Sequence, residues 1–225
     1  MKLELIGYKI CPYVQRSVIT ALHKKADCTI TYIQPTNKPE WFEALSPMGK
    51  VPILRVGDEA TGIFESAVIN ELLDELTDAP RMLPEDPVER ARCRAWIEFG
   101  SSCLGDLSAI ATGADEEAHQ AGIKGLNDKL TKLASMNSPS PYFNGAELSL
   151  VDTAFAPLFQ RLMVLESSGE LLSWASYPKV KAWSDTLLSN RAVAESLPEG
   201  AERLYRGYVV KRNGYLGQRM ASASS

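Results

Sequence analysis

Three prolines fall within eight residues, at Pro80, Pro84 and Pro87. Each fixes φ and removes a backbone donor, so this stretch can neither continue a helix nor pair inside a sheet. The chain differs in kind on its two sides. Upstream, short strand-like and helix-like patterns alternate. Lys2–Ile6 reads as a strand that turns at Gly7, and Pro12–Lys25 as a helix with Val14, Val18 and Leu22 on one face. Cys28–Gln34, rich in β-branched and aromatic residues, reads as a second strand. A short helix at Glu40–Leu45 precedes a turn at Ser46-Pro47-Met48-Gly49. Val51–Val56 and Gly62–Phe64 then suit a hairpin around Gly57-Asp58-Glu59, and Ser66–Leu76 an amphipathic helix capped by Ser66. One small sheet with helices packed on it fits this order.

Downstream, strand signals almost vanish. Val88–Thr112, Glu116–Met136, Leu150–Leu165, Tyr177–Asn190 and Ala201–Arg212 read as helices, with a Ser/Pro-rich loop at 137–148. Ser149 and Asp152 form a capping-box pattern at the head of the third. The expected organisation is an α/β domain over 1–78, a linker over 79–87, an all-helical domain over 88–213 and a frayed tail over 214–225.

Composition removes several function classes. Twenty-four basic against 28 acidic residues give a net charge of −4, without the basic footprint of a nucleic-acid binder. Four cysteines in 225 residues are too few for a disulfide scaffold. The longest run free of charged residues, Leu133–Ala146, is rich in Ser, Pro and Asn and cannot span a membrane. Charges at Lys2, Glu4 and Lys9 interrupt any secretory core, so a cytoplasmic chain is expected.

Cys11 stands apart from Cys28, Cys93 and Cys103, which sit inside strand or helix patterns and read as packing residues. It lies between a strand and a helix, with Pro12 at the first helical position. A thiol there faces unpaired N–H groups and the positive end of the helix dipole, so a reactive thiolate is expected, with Arg16 one turn on as added charge. No second cysteine follows at Val14, so a disulfide on Cys11 must pass to an external thiol. The cysteine spacing lacks metal-ligand pattern, and His23 and His119 read as solvent-facing helix residues. No metal is expected.

Four ordered segments resemble the cytosolic glutathione transferase superfamily: Cys11-Pro12-Tyr13-Val14-Gln15-Arg16, Asn37–Phe42, Ser46–Leu54 and Phe64–Ile69. Within it the Cys-Pro-aromatic start is similar to omega-like, cysteine-type members, bacterial ones included. The resemblance implies a thioredoxin-like α/β N-terminal domain followed by an all-α C-terminal domain, with glutathione as cosubstrate. It implies Cys11 as the catalytic thiol and Pro12, Tyr13, Lys38, Val51, Pro52, Glu65 and Ser66 as the glutathione site. Val51-Pro52 would be a cis-proline turn that pairs with the cysteinyl part. Ser66 and Glu65 would hold the γ-glutamyl end, and Lys38 the glycine carboxylate. Trp96 and Phe99, on the first long helix, are candidates for the acceptor side. Tyr205 and Tyr208 belong to a later helix that can close over it. Trp41 and Phe42 read as packing.

A cysteine in place of the activating Tyr or Ser of conjugating classes favours a mixed disulfide with glutathione, hence thiol transfer or reduction, with dehydroascorbate as one acceptor. Tyr8 and Ser17 are the nearest hydroxyls. Conjugation of electrophiles is the alternative enzyme reading. A binding or regulatory protein is the other, like the starvation-type relatives or the intracellular chloride channel proteins. The implied partners are glutathione, a small electrophilic or disulfide substrate and a second copy in a homodimer, with neither nucleic acid nor membrane.

Overall fold

The computed structural model describes residues 2–57, 62–136, 141–167, 169 and 171–222. The hairpin tip at 58–59, part of the Ser/Pro loop (137–140) and the last three residues lie outside the described residues. The N-terminal part runs β1 (Leu3–Gly7), α1 (Pro12–His23), β2 (Cys28–Tyr32), α2 (Glu40–Leu45), β3 (Ile53–Val56), β4 (Gly62–Phe64) and α3 (Ser66–Glu75). Its sheet has the order β2-β1-β3-β4, β1 pairing parallel with β2 and antiparallel with β3. The parallel pair needs a crossover, and α1 is that crossover. Leu5, Ile6, Ile53, Leu54, Ile69 and Leu73 are wholly buried around this sheet, each side chain contributing about 1.5–3 kcal/mol of transfer free energy.

The helical part comprises α4 (Pro87–Thr112), α5 (Glu116–Ser135), α6 (Leu150–Glu166), α7 (Pro178–Ser189), α8 (Arg191–Ala194), α9 (Ala201–Arg212) and α10 (Tyr215–Ser222), with a 3₁₀ turn at Trp174–Ser176. Its centre is α6, buried along nearly its whole length, with Phe155 and Phe159 packed against Trp183 of α7. The Ser149–Asp152 capping box forms. Asp152 also accepts from Phe143 N–H (2.9 Å) and Trp183 Nε1 (2.7 Å), tying the preceding loop and α7 to the helix start.

Two expectations fail together. Over 215–222 the tail is not frayed: it is α10, with Leu216 and Met220 buried and Gly217 against the α9 backbone. His119 is therefore not solvent-facing. The Tyr215 ring of α10 lies against it, tilted, at 5.1 Å between centres, and the buried His119 Nδ1 donates to the Ile110 carbonyl at 2.8 Å. His23 is half-buried. The short α8 after Ser189 has too few residues for a periodic signal.

The two parts are joined through α1, which packs on both α3 and α6. Gln15 Nε2 donates to Ser196 Oγ at 2.8 Å and to Gln160 Oε1. Arg16 donates to the Ala154 carbonyl and Ser101 Oγ. From the other side, Arg161 of α6 reaches the Ile10 carbonyl (2.8 Å) and Gln15 Oε1 (2.6 Å). Residues flanking Cys11 are thereby held by the helical part.

Candidate active site

Cys11 is the N-cap of α1, with an extended backbone and Pro12 in the first turn. Its N–H donates to the Tyr8 carbonyl, and its own carbonyl accepts from Gln15 N–H at 3.1 Å. Gly7 is required just before this turn: a Cβ there would fall 2.4 Å from a Val14 methyl. The close approach seats the start of α1 on the end of β1. All four cysteines are free, and Cys11 is half-buried.

Desolvation works against the expected thiolate. Burial pushes the Cys11 thiol above its ordinary range, outweighing the Val14 and Tyr13 N–H groups and the Arg161 and Arg16 charges that pull it down. Helix-start donors are present as the sequence implied, but the fold places the thiol too deep for them to prevail.

Two cavities adjoin this helix start. The first, about 370 Å³, is lined by Tyr13, Ser46, Met48, Lys50, Val51, Pro52, Phe64, Glu65, Ser66, Glu98 and Ser101. It brings together five of the residues expected to hold glutathione: Tyr13, Val51, Pro52, Glu65 and Ser66. The Val51–Pro52 peptide is cis. Glu65 takes φ +69°, a backbone region rare for a side-chain-bearing residue, directly before Ser66 opens α3. A hydroxyl and the first N–H groups of a ten-residue helix thus border the cavity beside a carboxylate, a donor–acceptor set that fits an amino-acid end.

Lys38 does not line this cavity. Its ammonium donates to the Gly49 carbonyl at 2.9 Å, in the loop that carries Met48 and Lys50. Phe42 is fully buried, while Trp41 is exposed with the Arg55 guanidinium 5.1 Å from its ring.

The second cavity, about 320 Å³, holds Cys11 and Pro12 in its wall with Tyr8, Ile10, Pro35, Arg161, Tyr205 and Tyr208. Its floor is a face of α4: Leu104, Leu107, Ser108, Ala111 and Thr112. Pro12 therefore belongs to this cavity and not to the first. Trp96 and Phe99 line neither. They meet edge to face at 5.0 Å, and Trp96 continues onto Phe143 in the helical core. Ser17 is buried under α1, whereas Tyr8 is in the cavity.

The α4 residues missed by sequence reasoning carry a visible signal. Positions 104, 107, 108, 111 and 112 follow the i, i+3, i+4, i+7, i+8 pattern of one helix face, two turns beyond the aromatic pair. Ser46, Met48 and Lys50 carry none; the loop around Gly49 (φ +61°) brings them in. A larger recess of about 720 Å³ between α6, α8, α9 and α10 contains no cysteine. Among the described residues, no group of three His, Cys, Asp or Glu side chains is placed to hold a metal. Likewise, among them no helix is long and apolar enough to cross a membrane.

A family model described as "Glutathione S-transferase, N-terminal domain" matches residues 10–76, and its C-terminal counterpart matches 116–186. The glutathione S-transferase omega-1 of Sus scrofa is 31% identical over 195 residues, 85% of this chain and 79% of that protein. Among solved structures, glutathione transferase Omega 3C from Trametes versicolor superposes with a TM-score of 0.78 at 25% identity, covering 88% of this chain and 90% of that one. The Tau class glutathione S-transferase from mango gives 0.77 at 28%, covering 92% and 96%.

Proposed function

The chain belongs to the glutathione S-transferase family and is omega-like within it, and from that premise we propose that it is a glutathione-dependent thiol transferase working through Cys11. One observation carries the reading. The residue at the start of α1, in the wall of an apolar cavity and two positions before the Tyr13 that lines a cavity suited to an amino-acid end, is a thiol. In the proposed cycle the Cys11 thiolate attacks the glutathionyl sulfur of a mixed disulfide. A Cys11–glutathione disulfide forms, and the former partner leaves as a thiolate that takes up a proton. A second glutathione thiolate attacks that disulfide, releasing oxidised glutathione and restoring Cys11. With dehydroascorbate, two glutathione molecules supply the two electrons and ascorbate is the product.

In this reading Ser66 and the α3 start take the γ-glutamyl carboxylate, Glu65 the ammonium, the Val51–Pro52 backbone the cysteinyl part, and Lys38 the glycine carboxylate. Lys38 gets there by leaving the Gly49 carbonyl, a movement of one flexible side chain. The reading extends to a homodimer in the cytoplasm. Replacing Cys11 with Ala tests the core of it: glutathione-dependent disulfide reduction falls to background while glutathione-affinity retention persists. Retained turnover refutes the mechanism.

A second reading, conjugation of electrophiles, has the Tyr8 hydroxyl in the same cavity as its supporting observation. It predicts conjugation of chlorodinitrobenzene that survives loss of Cys11 and fails in Tyr8→Phe.

A further inference from the structure

The wall of the Cys11 cavity contains a guanidinium that forms no ion pair with a carboxylate among the described residues. Arg161 is 5% exposed, and its hydrogen bonds all go to neutral oxygens: the Ile10 and Pro157 carbonyls and Gln15 Oε1. Its Nε is buried with no partner. Its guanidinium lies 5.5 Å from the centre of the Tyr205 ring, a neutral face. Among the described residues that line this cavity, none is Asp or Glu. Buried arginines are ordinarily paired, because an isolated charge out of water is strongly unfavourable and interactions with neutral dipoles offset only part of that. Here the positive charge faces a pocket whose other polar side chains are the Cys11 thiol and hydroxyls, those of Tyr8, Ser108 and Thr112 among them.

We propose that this cavity is specific for a small acceptor with an apolar or aromatic body and an anionic group, a carboxylate or an ionised phenol, whose charge Arg161 balances. The proposal rests on the reading above only for what happens to that acceptor at Cys11. Its selectivity follows from the charge arrangement itself. The apolar floor of Leu104, Leu107 and Ala111 takes the body of the molecule, and the 320 Å³ volume restricts it to small compounds. Within this low-dielectric wall the attraction between one anion and Arg161 exceeds what the same pair has in water. A neutral molecule of the same shape gains nothing from it.

The test uses the full chain and a readout other than turnover. Cys11 is alkylated by iodoacetamide at fixed alkaline pH, and its modification is followed by mass. The two protecting probes are 4-nitrobenzoate and 4-nitrobenzamide, alike in shape and different in charge. In the wild type the benzoate protects at about tenfold lower concentration than the amide or better. In Arg161→Met and in Arg161→Gln the two probes protect within about twofold of each other. Equal protection by both probes in the wild type overturns the proposal, and so does a preference that persists in both variants. Should neither variant fold, the wild-type pair of probes still decides. Turnover that survives Cys11→Ala would refute the thiol mechanism and leave the charge preference standing, so the two failures are distinguishable.

Discussion

Lys24 sits at the end of α1 and holds the Pro-rich connection in place, so replacing it with Met should loosen the junction of the two parts. Its ammonium donates to Asp74 Oδ1 at 2.7 Å and to the Ala79 and Pro80 carbonyls at 2.9 and 2.8 Å. The ammonium and the carboxylate are almost completely excluded from solvent. Asp74 in turn accepts from Met82 N–H, with Arg81 3.9 Å away and half exposed. Lys24→Met strips the carboxylate of its one buried counter-charge and leaves two carbonyls without their donor. Breaking a buried pair from one side costs about 3–5 kcal/mol. For a chain of this size each kcal/mol lowers the melting temperature by about 2–4 °C, which gives a fall of roughly 6–20 °C. Adding Asp74→Asn removes the stranded charge yet keeps an acceptor for Met82. The double variant should therefore be more stable than the sum of the singles by about 1–3 kcal/mol. Calorimetry or far-ultraviolet circular dichroism on the four proteins measures this. A Lys24→Met loss under about 1 kcal/mol, or strict additivity, refutes the claim that the pair fixes the connection.

Three further outcomes follow from the same packing. Burial pushes the Cys103 thiol up to about 12, whereas an unfolded thiol ionises near 8.5. The unfolded chain therefore binds fewer protons in that interval, and stability falls by up to about 1.4 kcal/mol per pH unit as pH rises. Cys103→Ala should flatten this alkaline slope in denaturant titrations; an unchanged slope contradicts the assignment. At Gly214 a Cβ would lie 2.3 Å from the Gly113 carbonyl oxygen, and backbone cannot swing away as a side chain can. Gly214→Ala should undock α10 and cost about 1–3 kcal/mol, seen as faster amide exchange over 215–222; unchanged protection there refutes it. Ser66→Ala should raise KM for glutathione about 10- to 100-fold while kcat changes little, since in the proposed binding mode it removes a donor to a charged group distant from the sulfur. Equal loss in both constants would place Ser66 in the chemical step instead.

The parts of the fold readable from the chain are those fixed by local chemistry. β1, α1 and α9 are found within about two residues of the expected bounds, because β-branched runs, Pro12 at a helix start and 3.6-residue periodicity act over a few residues. The failures at α10 and His119 share a cause. Each looks polar in its own segment, and each is buried by the other, through Tyr215 over the imidazole and Gly214 against Gly113. Mutual burial between positions almost one hundred residues apart leaves no mark on either local pattern. Trp96 and Phe99 illustrate the converse. They show the right residue types on the right helix, but the face of α4 that meets the cavity begins two turns later, at Leu104.

Cys11 shows how far a motif carries before burial takes over. Strand, cysteine, proline and helix locate the thiol and its donors correctly, because those depend on a handful of bonds. The direction of its ionisation depends on burial, which long-range packing sets and a local motif does not record. The depth that disfavours a thiolate also strengthens each charge near it, and the fold brings two: Arg16 on α1 and Arg161 from α6. Both are buried, and among the described residues neither forms an ion pair with a carboxylate, although the Glu98 charge acts on Arg16; each keeps one unpartnered nitrogen. Only Arg16 was visible beside the motif. Arg161 lies 150 residues away; it bonds the Cys11 loop to the helical part and places a charge in the wall of the Cys11 cavity. In the proposed function the reactivity of this thiol is thus a property of the junction between the two parts. Substitutions at Arg161 should change it more, in the rate of Cys11 alkylation, than substitutions of equal size at Lys38, which is exposed and donates to the Gly49 carbonyl.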